Sequence, residues 1–518
     1  MPSYGYSGDL PPDSFNMAAY CLRESAAKTP DKPGLIVCPS ADPLEAEIWT
    51  YSALEDTVLR IAHGISSYGF EPGSRVFLRM HNSVDYALMF LGLSAAGFVP
   101  IPGSSQLTAD EVAFMAGDAS ISAIAFSPEL EMPELPGAIV KFAPDDIDAL
   151  KSGPRGTYKK TRKDDPAFLI YTSGTSGKPK GVLHAQRAVW GRRPMYRGWY
   201  GIDENDVMLH TGHFNWTYTL GTGLMDPWAS GATTIVYTGP QDATVWPKLA
   251  RAHSATIIGS VPTLYRQILK YNNINNSSFP ALRHGLTAGE PIPLEAARSW
   301  SQATGTVLYE ALGMSEISTY ISCSPEVPIK PGSPGRAQKG RCVAILPVEG
   351  SFEPLPAGEI GLLAIHRSDP GIMLGYWRRP EEEAEVMYGD WFAGGDLARM
   401  DEDGYIWFEG RNDDLMNAMG YRVSPVEVEK ALSDHISVGE VAVAERRMRV
   451  DVSVIAAYVV PADGHSIDKD GLIAHAARHL AAYKTPREVI IVDRLPRTAN
   501  GKLMRRALQS MSPSASNS

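Results

Sequence analysis

Short apolar runs rich in β-branched residues recur along the chain, at Ala167–Tyr171, Thr233–Tyr237, Ala255–Ile258, Gly361–Ile365 and Val489–Val492. Apolarity this continuous marks strands, several of them buried on both faces. Helix-like stretches lie between several of them, among them Tyr51–Tyr68, Asp85–Ala96, Pro262–Tyr271 and Leu294–Thr304. Parallel sheets with covering helices require that alternation, so the expected class is α/β, mixed with α+β. Gly (47) and Pro (39) supply frequent turns between short elements and weigh against a helical bundle.

A chain of 518 residues calls for more than one domain or a single large α/β unit. Asp401–Gly404 suits a hairpin turn, and the polar stretch Gly410-Arg411-Asn412-Asp413-Asp414 after it reads as a linker. From Ser424, the spacing of Val426, Val428, Ala431 and Leu432 predicts a helix, with strands at Val438–Ala444 and Val454–Val460. The expected domains are therefore a large one, 1–412, of layered sheets with covering helices and a small α+β one, 413–518.

Charged residues (21%) and the apolar set (44%) are in globular proportion, and the net charge of −11 argues against a broad nucleic-acid face. Cys21, Cys38, Cys323 and Cys342 show no C-x-x-C spacing, which fits a reduced cytosolic protein. The N-terminus lacks a secretory pattern, and the apolar run Tyr86–Pro102 is interrupted by Gly92, Gly97 and Pro100. The expected location is cytoplasmic, with no membrane span.

The most specific motif is Tyr171-Thr172-Ser173-Gly174-Thr175-Ser176-Gly177-Lys178-Pro179-Lys180-Gly181, directly after a buried strand. Its density of glycine, hydroxyl and lysine suits a loop that surrounds phosphate oxygens. It is not a Walker A loop, because Gly174 and Gly177 are too close and Pro179 follows Lys178.

This segment resembles the signature loop of the adenylate-forming superfamily, which comprises acyl-CoA synthetases, carrier-loading adenylation domains and luciferases. The resemblance continues in family order through Thr287–Pro291, Glu310–Glu316, Trp391–Asp396, Gly410–Glu429 and Pro496–Lys502, and is nearest to medium-chain or aryl acyl-CoA synthetases. It implies an ATP-dependent acid:CoA ligase that forms an acyl-adenylate and pyrophosphate, then an acyl-CoA and AMP, using ATP, Mg²⁺ and coenzyme A. Thr172, Ser173, Gly174, Thr175, Ser176, Gly177 and Lys178 would hold the phosphates. Glu316 would hold Mg²⁺, and Ser315 would reach the α-phosphate. Gly289, Glu290, Pro291, Glu310, Ala311, Leu312 and Gly313 would line the nucleotide, with Asp396 on the ribose and Arg411 on its phosphate side. Lys502 would bridge the acid carboxylate and the α-phosphate. A mobile small domain would turn about Asp413 between the half reactions, bringing Gly420, Tyr421 and Arg422 to coenzyme A.

Two positions depart from the family pattern: Leu312 replaces an aromatic residue against adenine, and Gly394 replaces a threonine. For the acyl pocket the resemblance points to His213, Phe214, Trp216 and Gly289. No basic residue within Phe214–Leu224 would pair a second carboxylate, so a small monocarboxylic acid, aromatic or of medium chain length, is expected. Lys159, Lys160, Arg162, Lys163, Arg187, Arg192 and Arg193 offer contacts for the coenzyme A 3′-phosphate. Loading of a separate carrier protein remains an alternative, as does, further off, a non-catalytic nucleotide-binding homologue. Monomer and homodimer are both compatible with the sequence.

Overall fold

The computed structural model describes residues 4–135, 138–173, 179–240, 242–414, 416–418, 421–449, 452–497, 503–508 and 511. The expected site residues Gly174–Lys178, Gly420 and Lys502 lie outside this set, and for Ser173, Asp413, Tyr421 and Arg422 only the backbone is described. The fold is the expected mixed α/β arrangement. It divides into two compact units, Met1–Val343 with Ile365–Phe392, and Ala344–Ala364 with Ala393–Ser518. This division differs from the expected 1–412 and 413–518, because backbone pairing decides which residues fold together. Asp396–Met400 pairs with both Tyr405–Arg411 and 360–362, and this drafts segments before residue 413 into the second unit.

In the first unit, β1 (Pro166–Ser173) and β2 (Pro179–Ala185) form an antiparallel hairpin in which Thr172 faces Lys180. Ala167, Phe168 and Ile170 join one apolar cluster and Leu169 another, so β1 is covered on both faces as its composition predicts. The main sheet carries β3 (Val207–His210), β4 (Ile257–Ser260), β5 (His284–Ala288) and β6 (Leu308–Met314), neighbours in that order and all parallel. Beyond β3 the sheet continues in parallel through Thr233–Tyr237 and Pro33–Cys38. β7 (Ser318–Ser322) returns antiparallel to β6, with a register shift at Leu312/Gly313. β8 (Gly375–Tyr376) pairs antiparallel with β2, Tyr376 facing Val182. A second, wholly parallel sheet runs Val99–Pro102, Arg75–Arg79, Ala123–Phe126, Val140–Phe142.

The covering helices fall where the periodicity places them, at Tyr51–Ser66, Val84–Ala95, Pro262–Tyr271 and Leu294–Thr304. The hydroxyls of Thr50 and Ser83 accept from the amides of Ala53 and Tyr86 and so start the first two. Among the described residues no helix is long and apolar enough to cross a membrane.

In the second unit, β9 (Asp396–Met400) and β10 (Tyr405–Arg411) form a hairpin across Asp401–Gly404. The helix Pro425–Ser433 follows, beside a sheet of Val438–Arg449, Val452–Pro461 and Glu488–Ile491. Val443, Ile455, Ala457 and Val459 pack on one face of this sheet and Ala442, Ala444, Ala456 and Tyr458 on the other, a period of two that buries both sides.

Arg341 and Asp369 form an ion pair inside the first unit, their side chains 0% and 1% exposed. Nη1 of Arg341 donates to both carboxylate oxygens at 2.9 Å, Nη2 to the Gly191 carbonyl at 2.7 Å and Nε to Gln338 at 3.0 Å. Removing one partner strands a buried charge. Arg341→Met is expected to lower the unfolding free energy of this unit by about 3–5 kcal/mol, read from denaturant titration.

Candidate functional site

Parallel strands present their C-terminal ends at one edge of a sheet, and in the main sheet those ends are Ser260, Ala288 and the β6–β7 corner. Gly313 lies inside that corner. A Cβ there would come within 2.3 Å of the Ser318 carbonyl oxygen, so only glycine lets the two strands approach this closely. Ser318 in turn adopts φ +79°, a conformation that needs support from outside.

Arg192 supplies that support. Its guanidinium donates to the Ser318 hydroxyl and grips Asp226 at 2.7–2.9 Å, while the Tyr200 hydroxyl donates to Asp226 at 2.8 Å. The side chains of Arg192 and Asp226 are 6% and 0% exposed. Gly221 makes the room, since a Cβ there would fall 2.0 Å from Nη2. Arg192 is therefore a buried structural cation and not the coenzyme A contact expected of it. Arg187 is also engaged, with Asp164 at 2.6 Å and the carbonyls of Pro370 and Ile372, and Lys163 pairs with Asp13 at 2.7 Å. Arg193 lies over the Trp190 ring at 4.3 Å.

Ser315 and Glu316 stand at the tip of the corner, half-buried. The Tyr376 hydroxyl donates to Oε1 of Glu316 at 2.7 Å, and the Met373 amide donates to the Glu316 carbonyl at 2.8 Å. Leu374 and Trp377 donate their amides to Leu183 and Gly181 of β2. Segment 373–377 thus bridges the hairpin that bounds the phosphate-loop motif and the acidic corner. Asp118 steadies the same frame, accepting at 2.7 Å from both the Tyr171 hydroxyl and Arg379. Tyr376, Asp118 and Arg379 carry no sequence signal for the site. Tyr376 lies 60 residues from Glu316, and no spacing rule connects them.

A cavity of about 20 Å³, room for about one water molecule, lies among Phe168, His184, Arg192, Thr217, Ser315 and Gly371. His184 stacks on Phe168 with ring centroids 4.5 Å apart, and burial drops its pKa to about 3, so it is neutral.

The structure separates the expected acyl-pocket residues. Trp216 is half-buried over Gly289, whose φ is +95° and whose added Cβ would meet the indole at 3.0 Å. Tyr218 meets Trp216 edge to face at 5.4 Å. Phe214 sits instead in the apolar core with Tyr86, while His213 is half-buried near His81, and burial lowers its pKa. Glu290 accepts from Thr263 at 3.2 Å, Pro291 is exposed, and Ala311 is buried beside half-buried Leu312.

In the second unit, Asp396 and Arg411 face each other across β9 and β10, with Nη1 of Arg411 3.1 Å from Oδ1 of Asp396. The same nitrogen donates to the Gly394 carbonyl at 2.8 Å. The departure at 394 therefore keeps a polar role through its backbone. Asp413 lies in the single turn Asn412–Asp414.

Glu310 is half-buried as a residue, but its carboxyl is enclosed and burial pushes its pKa up to about 8. The folded state then keeps a proton that the unfolded chain releases above pH ~4.5. The stability this contributes is present at acid pH and lost as pH rises through about 8. Between pH 5 and 8 the wild type is expected to lose at least about 1 kcal/mol more stability than Glu310→Gln in paired denaturation curves. His184 is common to both proteins and cancels in the difference.

The family model for AMP-binding enzymes matches residues 22–377, and that for the AMP-binding enzyme C-terminal domain matches residues 427–502. The chain is 32% identical to the mitochondrial acyl-coenzyme A synthetase ACSM5 of Mus musculus, over 89% of this chain and 84% of that protein. It is 31% identical to a benzoate–CoA ligase of Thauera aromatica, over 90% and 91% of the two chains. The crystal structure of a benzoate CoA ligase from Burkholderia xenovorans LB400 superposes with a TM-score of 0.83 at 28% identity, covering 96% of this chain and 100% of that one. With the phosphate-loop hairpin, the Glu316 corner and these matches together, the chain belongs to the AMP-binding, adenylate-forming enzyme family as an AMP-forming acyl-CoA synthetase.

Proposed function

We propose that the enzyme activates an aromatic or medium-chain monocarboxylic acid in two steps. A carboxylate oxygen attacks the α-phosphorus of ATP, the bond from that phosphorus to pyrophosphate breaks, and an acyl-adenylate remains. The sulfur of coenzyme A then attacks the acyl carbon and AMP leaves. The observation that carries this reading is the junction of β2, segment 373–377 and Glu316, which holds the edge of a phosphate loop and a carboxylate in one frame.

The first step brings two anions together, so oriented cations and donors must meet the charge that develops. In this reading Thr172, Ser173 and the loop through Lys178 hold the β- and γ-phosphates, Ser315 reaches the α-phosphate, and Asp396 accepts from the ribose. Lys502 bridges the carboxylate and the α-phosphate. Glu316 suits a hard cation that arrives on phosphate oxygens: Tyr376 holds one oxygen, and the other has no hydrogen bond among the described residues. Among those residues no cluster of three or more His, Cys, Asp or Glu side chains has the arrangement of a metal cage, which fits a cation shared with the nucleotide. When bound, Mg²⁺ would neutralise phosphate charge. Residues 420–422 serve the thiol step after the small domain turns about Asp413.

The aromatic alternative is supported by Trp216, Tyr218 and Gly289 together, and by relatives named for benzoate. Four free cysteines, Cys21, Cys38, Cys323 and Cys342, fit a cytoplasmic enzyme, whether monomer or homodimer. A panel of benzoates, arylacetates and C4–C10 acids, followed by pyrophosphate release with and without free coenzyme A, tests the reading. Saturable turnover with coenzyme A supports it, and turnover only with a carrier protein would replace the acceptor. Lys502→Ala is expected to slow adenylate formation at least about a hundredfold while thioester formation from supplied acyl-adenylate stays within about twofold. Equal loss of both halves would refute the assigned role.

A further inference from the structure

Tyr376 has a placement that sheet geometry alone does not demand. Its backbone belongs to a two-residue strand hydrogen-bonded to the strand leaving the phosphate-loop motif, and the residue is 5% exposed. The buried ring carries its hydroxyl to Oε1 of Glu316 at 2.7 Å. A phenol donating to a carboxylate makes a charge-assisted bond, stronger and more directional than a neutral one. The bond pins one carboxylate oxygen and fixes the direction in which the other points.

A second observation points the same way. Nζ of Lys180 lies 3.7 Å from the centroid of the Tyr376 ring, against its face. A cation there draws electron density from the ring and makes the hydroxyl a better donor. Lys180 belongs to β2, directly after Pro179, at the end of the phosphate-loop motif. The loop's exit strand therefore touches the group that orients the acidic residue. Backbone bonds reinforce the connection, since Met373 donates to the Glu316 carbonyl and Trp377 to that of Gly181.

We infer that Tyr376 is a positioning residue for the nucleotide-borne divalent cation: it aims the Glu316 carboxylate and couples that aim to the strand that closes the phosphate loop. This inference rests on the reading of Glu316 as the residue that meets the cation. Groups that hold a metal-binding carboxylate from behind typically govern metal affinity tenfold or more.

The test uses the full-length enzyme with ATP and no acid, so that no turnover occurs. Calorimetric titration of ATP with Mn²⁺ and with EDTA separates the metal-dependent part of nucleotide affinity from the rest. Tyr376→Phe keeps the ring and its contact with Lys180 but removes the hydroxyl. It is expected to weaken ATP binding about tenfold with Mn²⁺ and less than about twofold with EDTA. In the adenylation half reaction the Mg²⁺ concentration for half-maximal rate should rise by a similar factor, with the rate recovered at high Mg²⁺. Equal weakening with and without metal would mark Tyr376 as merely structural and overturn the inference, as would unchanged binding in both.

Glu316→Gln distinguishes the positioning role from the role of Glu316 itself. Loss of metal-dependent tightening in Glu316→Gln but not in Tyr376→Phe overturns the positioning role alone. Retention of tightening in Glu316→Gln overturns the reading of Glu316, and the inference with it.

Discussion

Parallel pairing of β3, β4, β5 and β6 constrains the first unit most strongly, because it forces the ends of sequence-distant strands onto one edge. His210, Ser260, Ala288 and Ala311 come from four separate segments and reach that edge only through the register. The β6–β7 corner then turns away, and Gly313 allows a backbone approach that any side chain would block. Ser315 and Glu316 owe their position to this corner, and the corner owes its strained Ser318 to the buried Arg192–Asp226 pair.

Charge is used in two different ways. Arg192 and Arg341 lie in the interior, each against a buried carboxylate, where they hold segments together and where loss of a partner is costly. The motif Tyr171–Gly181 instead concentrates lysines and hydroxyls within eleven positions of the chain, and its described ends, Thr172 and Lys180, face each other across β1 and β2. For a protein of net charge −11 that handles polyanions, this separation matters more than the total. Arg187 and Arg192, near the motif in sequence, brace the scaffold, so fewer side chains are left to meet an anionic ligand than the local count of basic residues suggests.

Much of the fold is legible in the order and spacing of apolar residues. The helices Pro262–Tyr271 and Leu294–Thr304 stand at their expected bounds, because apolar periodicity and a proline at the start are local signals. Tyr51–Tyr68 starts where expected, capped by Thr50, but stops two residues early at Ser66, while Asp85–Ala96 moves by one residue at each end, its start set at Val84 by the Ser83 cap. The division of the chain is less legible. A polar linker at Gly410–Asp414 is a local feature, whereas membership of β9 and β10 in the second unit depends on hydrogen bonds to 360–362.

The site divides along the same line. Residue types at close spacing announce themselves, so the loop Tyr171–Gly181, the Gly313–Glu316 corner and the pair Asp396 and Arg411 are readable as chemistry in the chain alone. Partnership between distant residues is not readable, because any tyrosine or arginine is a plausible core or surface residue until its neighbours are known. Only the tertiary structure set Phe214 in the core but Trp216 over Gly289, retired Arg192 to a buried pair, and placed the Tyr376 hydroxyl on Glu316. The sequence by itself determined which chemical groups are present and which lie within a few residues of one another. Packing determined which of them meet, because burial demands a partner for each polar group and close packing leaves room for only one.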